Sequence, residues 1–262
     1  KAGAKALLIE REARLGGILK QCIHDGFGVV RFGEKLSGPE YAQRFIEQLP
    51  DSGVTVWTLS FVSEIRNDQQ QTLLTVITRD GIKQVRTRSL IFATGCRERT
   101  SRQIGVQGRH CAGIFTAGTA QYYTNILGKL PAKRCVILGS GDIGLIMARR
   151  LTLEGADVIG VYEAKPTPSG LTRNISQCLW DFDIPLYTSK TVTRVFGDAR
   201  LSAVEIVSVD SCMRPIEGTE EIIPCDALIL SVGLIPENEL LESIGVPIDS
   251  KTKGAIVDDR NE

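Results

Sequence analysis

The sequence contains few of the residues that metal sites and membrane spans require. Only two histidines, His24 and His110, occur in 262 residues, and neither lies in a cluster of cysteines. A structural zinc site needs four such ligands at close spacing, so no metal site is expected. No apolar run approaches the ~20 residues that a membrane-spanning helix needs, and no membrane span is expected.

Paired cysteines and an excess of charge are also lacking. Seven cysteines are spread along the chain, and none belongs to a Cys-x-x-Cys pair. This odd, scattered set argues against a disulfide framework and favours a reducing, cytoplasmic setting. Lysine plus arginine and aspartate plus glutamate each total 31, so the formal net charge is zero. That balance argues against nucleic acid as a partner and against a polybasic membrane anchor.

Strands and helices are predicted to alternate along most of the chain. Apolar runs typical of buried strands occupy residues 6–9, 54–59, 90–95, 134–138, 158–162 and 227–232. Helical spacing occurs at residues 39–49, 121–127, 142–154, 175–182 and 237–244. Stretches rich in valine, isoleucine and threonine indicate antiparallel insertions at residues 63–78, 83–88 and 192–209. The pattern predicts an α/β fold with mainly parallel sheets.

A glycine-rich loop, Gly139-x-Gly141-x-x-Gly144, lies between a predicted strand and a predicted helix. Glu163 ends the next strand, 19 residues after Gly144. This is the context of a dinucleotide-binding fingerprint, although a glycine turn without a ligand is the alternative. The three glycines would provide a tight turn, close approach of the backbone to a diphosphate, and close packing of helix on strand.

The residues around this loop have predicted roles of their own. The helix that starts near Asp142 and Ile143 would direct its N–H groups at the diphosphate. Asp142 is expected to cap this helix, and contact with the cofactor is the alternative. Glu163 is expected to accept hydrogen bonds from the adenosine ribose. An acid there repels a 2′-phosphate, so NAD is favoured over NADP.

Three segments in a fixed order give the sequence a family resemblance. They are Ala93-Thr94-Gly95, the Gly139–Gly144 loop and the stretch Ser-Val-Gly-Leu-Ile-Pro at residues 231–236. Together they resemble the two-dinucleotide-fold flavoproteins of the pyridine nucleotide–disulfide oxidoreductase superfamily. Residues 93–99 and 113–121 are most similar to the subgroup of sarcosine oxidase α subunits, opine oxidases and hydrogen cyanide synthase.

The resemblance implies two Rossmann-like dinucleotide-binding domains of three-layer ββα architecture, with the NAD domain inserted in the FAD domain. The FAD domain would comprise residues 1–115 and 237–262, and the NAD domain residues 116–236. The implied FAD-binding residues are Glu10 at the ribose, Gly16 and Gly17 at the diphosphate, Ala93, Thr94 and Gly95 at the first crossover, and Gly233 near the return crossover.

The function that the resemblance implies is hydride transfer between NAD(H) and FAD by a flavin-dependent oxidoreductase. The implied protein partner is a dehydrogenase subunit. Whether the protein also forms a homo-oligomer is left open by the resemblance. Disulfide-reducing relatives carry two thiols near the flavin. The matching positions here are Ala117 and Ala120 in one arrangement and Leu19 and His24 in the other, so a dithiol relay is not expected.

Cys22 is the remaining candidate for thiol chemistry, because Lys20 and His24 lie nearby and cationic neighbours favour a thiolate. Two alternatives therefore stay open. One is an NADH-dependent peroxidase or disulfide reductase that uses Cys22, and the other is a nucleotide-binding subunit without turnover of its own.

Two motifs of the family are not found in the sequence. The first glycine loop would precede Lys1, and the Gly-Asp that contacts the ribitol of FAD would follow Glu262, so a fragment of a longer protein is expected. Arg97 and Arg99 follow the first crossover. They are expected either to neutralise phosphates or an acidic substrate, or to form a solvated pair with Glu98.

Overall fold

The chain folds into two compact units in a computed structural model that describes residues 4–68 and 71–259. Unit 1 comprises Lys1–Arg97 and Ile235–Glu262, and unit 2, Glu98–Leu234, is inserted between them in the sequence. Unit 2 begins earlier than residue 116, the start that the sequence suggests for the inserted domain. Residues 98–115 belong to unit 2 because Val106 and Cys111 lie in its core and Gln107–Gly108 pairs with one of its strands.

The elements follow one another in a mixed order. The strands are β1 (Leu7–Ile9), β2 (Thr55–Trp57), β3 (Phe61–Asp68), β4 (Gln71–Thr78), β5 (Gly81–Thr87), β6 (Cys96–Glu98), β7 (Gln107–Gly108), β8 (Ile114–Thr116), β9 (Arg134–Leu138), β10 (Asp157–Glu163), β11 (Leu186–Thr188), β12 (Lys190–Gly197), β13 (Leu201–Ser208), β14 (Glu221–Pro224), β15 (Ala227–Leu230) and β16 (Leu234–Pro236). The α-helices are α1 (Val29–Phe32), α2 (Gly38–Ile46), α3 (Ala117–Asn125), α4 (Asp142–Leu153), α5 (Thr172–Cys178) and α6 (Glu239–Ser243). Short 3₁₀ turns cover Gly17–Gln21, Pro50–Ser52, Arg102–Ile104 and Trp180–Phe182. No helix of the described residues is both long and apolar enough to cross a bilayer.

Unit 1 is built on a parallel strand pair and an antiparallel meander. β1 pairs with β2 in parallel, and β3, β4 and β5 form the meander that the sequence predicts. Residues 69 and 70, inside the predicted stretch 63–78, lie outside the described residues. The small core of this unit contains Ile65, Leu74 and Val76.

Residues 90–95 do not form the buried strand that their apolar sequence predicts. They have no regular secondary structure, and Ile91 is 90% exposed. The prediction is wrong because none of the described strands of unit 1 pairs with this segment. An extended segment becomes a strand only when a neighbouring strand accepts its backbone hydrogen bonds.

Unit 2 has three layers. Its parallel sheet has the order β11-β10-β9-β15-β8, and its second sheet has the order β14-β13-β12-β7. Side chains of β9 and β15 alternate between the two faces of the parallel sheet, as expected for strands buried on both sides. Cys135, Ile137, Ala227 and Ile229 pack with α3, α4 and α5, whereas Val136, Leu138, Leu228 and Leu230 pack with the second sheet. This ββα arrangement confirms the predicted α/β fold class.

The helix bounds follow local signals, some of which the apolar periodicity does not reveal. α4 covers the predicted residues 142–154 almost completely, and Gly155 follows it with φ +91°. α3 begins at Ala117, before the predicted residue 121, because the Thr116 side chain accepts a hydrogen bond from the Thr119 N–H. A helix cap of this kind fixes the first turn even where the apolar periodicity is weak.

Candidate functional site

Gly139, in the loop between β9 and α4, and Gly144, in the first turn of α4, are both required by packing. Gly139 has φ +100°, and a Cβ built on it would lie 2.1 Å from the Ser231 carbonyl oxygen. A Cβ on Gly144 would lie 2.6 Å from the Gly139 oxygen and 2.8 Å from the Ser231 Cβ. Only glycine allows the loop and α4 to approach the segment after β15 this closely. The predicted tight turn and close helix packing are both present.

Gly141 differs from Gly139 and Gly144 because the folded chain does not require a glycine at this position. Its φ of −65° and ψ of 160° are accessible to any residue. A Cβ on it would meet only the Ser231 Oγ, at an ordinary 3.7 Å. The space over the Gly141 backbone is therefore open to a group that is not part of unit 2.

This space belongs to a cleft of about 290 Å³ at the carboxyl edge of the parallel sheet. Its walls are Glu98, the first residues of α4 with the glycine before them (Gly141, Asp142 and Ile143) and the segment 231–234, which includes Gly233. The first N–H groups of a helix have no acceptor within that helix, and the helix dipole places partial positive charge there. The cleft therefore combines an open backbone with donors suited to an anion.

Glu163 lies at the end of β10, as predicted, and its side chain is turned into the protein. The residue is 8% exposed. Its Oε2 accepts hydrogen bonds from the Ser140 N–H at 3.0 Å and from the Ser140 hydroxyl at 2.5 Å. Its Oε1 accepts one from the Lys165 N–H at 3.0 Å. A carboxylate has about four acceptor positions, so these three hydrogen bonds leave Oε1 able to accept another.

The hydrogen bonds also set the ionisation of Glu163. Burial alone raises the pKa of this carboxyl, but the donations from the Ser140 hydroxyl and the two backbone N–H groups outweigh burial and lower the pKa below its ordinary value. The side chain is therefore ionised at neutral pH. It ties the glycine loop to the turn that follows β10.

Asp142 does not cap α4. Gly141 occupies the cap position, and no side chain caps this helix. The Asp142 Oδ1 instead accepts hydrogen bonds from the Leu171 N–H and the Asn174 amide, both at 2.8 Å. The capping prediction is wrong because this carboxylate accepts hydrogen bonds from donors at the start of the next helix, α5, and not from the N–H groups of α4. These hydrogen bonds hold the start of α5 against α4.

Glu98 is a residue of the cleft that the sequence motifs do not indicate. Its Oε1 accepts a hydrogen bond of 2.8 Å from the Gly118 N–H in the first turn of α3. A pair with Glu98 is one of the two alternatives that the sequence leaves open for Arg97, but the Arg97 guanidinium contacts Glu237 at 2.9 Å and Glu239 at 2.7 Å instead. No sequence pattern indicates this arrangement, because the partners of Glu98 and Arg97 are distant in the chain.

In unit 1, the residues expected near FAD surround the turn after β1. Glu10 directly follows β1, and its Oε1 accepts a hydrogen bond of 2.8 Å from the Glu12 N–H. Gly16 and Gly17 both have positive φ, of +109° and +51°. A Cβ on Gly17 would have no atom within 4 Å, so this backbone is open. An acid after a strand and an open glycine turn suit the ribose and the diphosphate of a dinucleotide.

The predicted crossover at Ala93, Thr94 and Gly95 is an exposed segment of unit 1. The Thr94 hydroxyl donates to the Glu237 carbonyl at 2.9 Å, and the Glu237 N–H donates to the Gly95 carbonyl at 3.0 Å. Gly95 has φ +73°, and a Cβ on it would have no atom within 4 Å. In unit 2, Gly233 has φ +100° and its carbonyl accepts from the Arg99 N–H at 3.1 Å.

Cys22 is half-buried, and its surroundings do not favour a thiolate. Burial raises the pKa of the thiol above its ordinary value. Its Sγ donates to the Ile18 carbonyl at 3.4 Å. The Lys20 ammonium, which the sequence suggests as an activating group, contacts the Glu12 carboxylate at 2.5 Å and the Arg14 carbonyl at 2.7 Å. The thiolate that a redox role for Cys22 would need is therefore not favoured at this position.

The two alanines at the dithiol positions lie in the first half of α3. Ala117 and Ala120 are fully buried and pack in the core of unit 2. They carry no sulfur, so they cannot form a redox disulfide.

Comparisons with known proteins identify the family of the chain. The family model described as pyridine nucleotide-disulphide oxidoreductase matches residues 81–262. An opine oxidase subunit of Agrobacterium tumefaciens is 24% identical, over 80% of this chain and 41% of its own length. The hydrogen cyanide synthase subunit HcnB of Pseudomonas protegens is 26% identical, over 93% of this chain and 54% of its own. The chain thus spans about half the length of these relatives.

Among solved structures, the thioredoxin reductase of T. acidophilum has a similar fold, with a TM-score of 0.77 and 21% identity over 98% of this chain and 78% of that one. The fold, the order of the three motif segments and the match of the family model over most of the chain agree. The chain belongs to the pyridine nucleotide-disulphide oxidoreductase family.

Proposed function

We propose that this chain forms the NADH-binding part, and some of the FAD-binding part, of a flavin-dependent oxidoreductase that transfers a hydride between NAD(H) and FAD. Members of its family are FAD-dependent NAD(P)H oxidoreductases. The observation that carries the proposal for this chain is Gly141. The fold leaves the space above it open, beside the N–H groups of α4, and a dinucleotide diphosphate fits both features.

The proposal specifies NADH rather than NADPH. The Glu163 carboxylate is held in place by Ser140 and Lys165 and retains an acceptor position on Oε1. A ribose hydroxyl can donate a hydrogen bond to that position. The 2′-phosphate of NADPH would instead be repelled, because the lowered pKa of Glu163 keeps its carboxylate negatively charged.

The residues of unit 1 support FAD as the second cofactor. Glu10 would accept hydrogen bonds from the FAD ribose, and Gly16 and Gly17 would let the backbone approach its diphosphate. Ala93, Thr94 and Gly95 would lie beside the cofactor, on the segment that is hydrogen-bonded to Glu237. When bound, the flavin supplies the redox chemistry, and the protein supplies binding, orientation and electrostatics.

This chemistry requires no protein acid or base for the hydride step itself, so no catalytic side chain is assigned. A disulfide as the electron acceptor is not favoured, because Ala117 and Ala120 occupy the dithiol positions and the Cys22 thiol has a raised pKa. Two relatives are named as subunits of opine oxidase and of hydrogen cyanide synthase. We therefore propose that the partner that exchanges electrons with the flavin is a second dehydrogenase subunit.

An anaerobic titration tests the proposal. The protein, supplied with FAD, is titrated first with NADH and then with NADPH while the visible spectrum is recorded. We expect the flavin band to bleach with NADH at a concentration at least about tenfold lower than with NADPH, because of the repulsion at Glu163.

Two outcomes would favour the alternatives. NADH binding without bleaching would support a nucleotide-binding subunit without turnover of its own. Bleaching that is followed by electron transfer to peroxide or a disulfide would support the thiol mechanism if a Cys22→Ser substitution abolished the second step, the electron transfer to the acceptor. Under the proposal, the Cys22→Ser substitution changes neither the bleaching by NADH nor the later reoxidation of the flavin.

A further inference from the structure

Glu98 places a carboxylate in the same cleft as the N-terminus of α4. It lines this cleft with Gly141 and Ile143, and its Oε1 accepts from the Gly118 N–H at 2.8 Å. A Cβ on residue 118 would lie 2.6 Å from the Glu98 Oε2, so the glycine is what admits the carboxylate to the start of α3. The start of α3 is thus already neutralised by a carboxylate.

The strand order determines which half of a dinucleotide would meet Glu98. The neighbours in the parallel sheet are β10, β9, β15 and β8, in that order. Glu163 ends β10, α4 follows β9, and Glu98 is bonded to α3, which follows β8. A dinucleotide with its adenosine ribose at Glu163 and its diphosphate at α4 continues across β15 towards Glu98. The half that reaches Glu98 is the nicotinamide half.

We propose that Glu98 is a specificity-determining residue that favours the oxidised form, NAD⁺, over NADH in this cleft; this rests on the function proposed above. The nicotinamide ring of NAD⁺ carries a positive charge, and the dihydronicotinamide ring of NADH is neutral. A carboxylate in a partly enclosed cleft therefore attracts only one of the two redox forms. Because the adenosine and diphosphate groups are the same in both, Glu98 changes the ratio of the two affinities.

The direction of this preference fits the proposed reaction. Loss of a hydride to the flavin, which is one proton and two electrons, converts NADH to NAD⁺. Suppose that Glu98 increases the affinity for NAD⁺ by some factor relative to a site without this charge. The equilibrium for hydride transfer from bound NADH to the flavin then becomes more favourable by the same factor. Asp142, the other carboxylate of the cleft, lies at the diphosphate end and already accepts two hydrogen bonds from the α5 segment.

The substitution Glu98→Gln tests the proposal, because glutamine keeps an oxygen that can accept from the Gly118 N–H and removes only the charge. The dissociation constants of NAD⁺, NADH and ADP-ribose are measured by calorimetric titration of the 262-residue protein. We expect the constant for NAD⁺ to rise about fivefold. Those for NADH and for ADP-ribose, which lacks the nicotinamide, stay within about twofold of the parent values.

Glu154→Gln is the matched control, since Glu154 follows the last residue of α4 and pairs with Arg150 there. It removes the same charge from unit 2, away from the cleft, and should leave all three constants unchanged. Equal changes for NAD⁺ and NADH in Glu98→Gln would overturn the proposal and leave the proposed function standing. Loss of ADP-ribose binding in Glu98→Gln would also overturn it, because the residue would then be a structural anchor of α3. A parent protein that binds none of the three ligands would refute the proposed function itself.

Discussion

The three glycines between Gly139 and Gly144 have different reasons to be glycine, since packing requires some of them and ligand binding could require another. A side chain at Gly139 would collide with the Ser231 carbonyl, whereas a methyl group at Gly141 would meet nothing closer than 3.7 Å. The sequence motif alone makes the three glycines look equivalent. The structure shows that only Gly141 is free of a packing requirement, so only this glycine supports the presence of a ligand.

The substitution Gly141→Ala should therefore weaken binding with little effect on the stability of the fold. We expect an NADH dissociation constant raised at least about tenfold, because the new methyl group occupies the space of the diphosphate. The free energy of unfolding should fall by no more than about 1 kcal/mol, the cost of replacing glycine by alanine at the cap position of α4. Gly139→Ala is the contrasting variant, and its positive φ and backbone collision should cost about 2–4 kcal/mol. Calorimetric titration and urea unfolding measure both quantities, and a Gly141→Ala protein that binds NADH normally would contradict the proposed site.

Glu163 predicts a pH dependence of stability. Its pKa in the folded protein lies below the ordinary value of 4.5. The carboxylate therefore stabilises the fold at pH values above 4.5, and this contribution is lost as the pH falls towards the folded-state pKa. A glutamine at this position turns an NH₂ group towards the N–H donors of Ser140 or Lys165.

We expect Glu163→Gln to lower the free energy of unfolding by about 1–3 kcal/mol at pH 7. The difference from the parent should shrink as the pH is lowered below 4.5, because Glu163 is then protonated first in the unfolded parent and, at lower pH, in the folded parent as well. Urea unfolding at pH 7, 5 and 3.5 checks the prediction, with the solvent-exposed Glu154→Gln as a control that should change stability by less than about 1 kcal/mol. A difference that grows on acidification would refute this account of Glu163.

At the scale of elements, the sequence correctly predicts the helices and strands that are determined by their own residues. β9, the glycine loop and α4 lie close to their predicted positions, because the apolar strand, the loop and the terminal Gly155 are all local signals. The prediction for residues 90–95 is wrong, since an apolar run does not reveal whether a partner strand lies beside it. Contacts between residues distant in the chain, such as Glu98 with Gly118 and Asp142 with Asn174, have no sequence signal at all.

The contact between α4 and α5 depends on one such long-range interaction. Asp142 accepts from the Leu171 N–H and from the Asn174 side chain, and these hydrogen bonds fasten the start of α5. Asp142→Ala removes the acceptor from both donors and should destabilise unit 2 by about 1–3 kcal/mol. Asp142→Asn retains an oxygen at the same position and should recover more than half of this loss. Equal stabilities of the two variants in urea unfolding would show that the contact contributes nothing.

At the scale of the whole molecule, the two units differ greatly in the size of their cores. In unit 2, two clusters of buried side chains cover both faces of the parallel sheet. In unit 1, the described core cluster has three buried members, Ile65, Leu74 and Val76, with Leu36 and Ala42 buried outside it, and Ile91 and Val30 are largely exposed. Stability grows with the apolar area that is buried, so unit 2 should resist unfolding more strongly than unit 1.

Calorimetric melting of the 262-residue protein should consequently show two transitions rather than one. The later transition is that of unit 2, and it should be the one that responds to NADH, because a ligand stabilises only the part of the chain that binds it. At an NADH concentration about 100 times its dissociation constant, the gain is about 2.7 kcal/mol, which corresponds to a shift of several degrees for a domain of this size. For the Gly141→Ala protein, whose dissociation constant should be at least about tenfold higher, the same concentration of NADH should stabilise unit 2 by no more than about 1.4 kcal/mol, and the shift of the later transition should be about half that of the parent or less. If NADH raised the earlier transition instead, the nucleotide would be bound by unit 1, and the placement of its site in the cleft at α4 would be wrong.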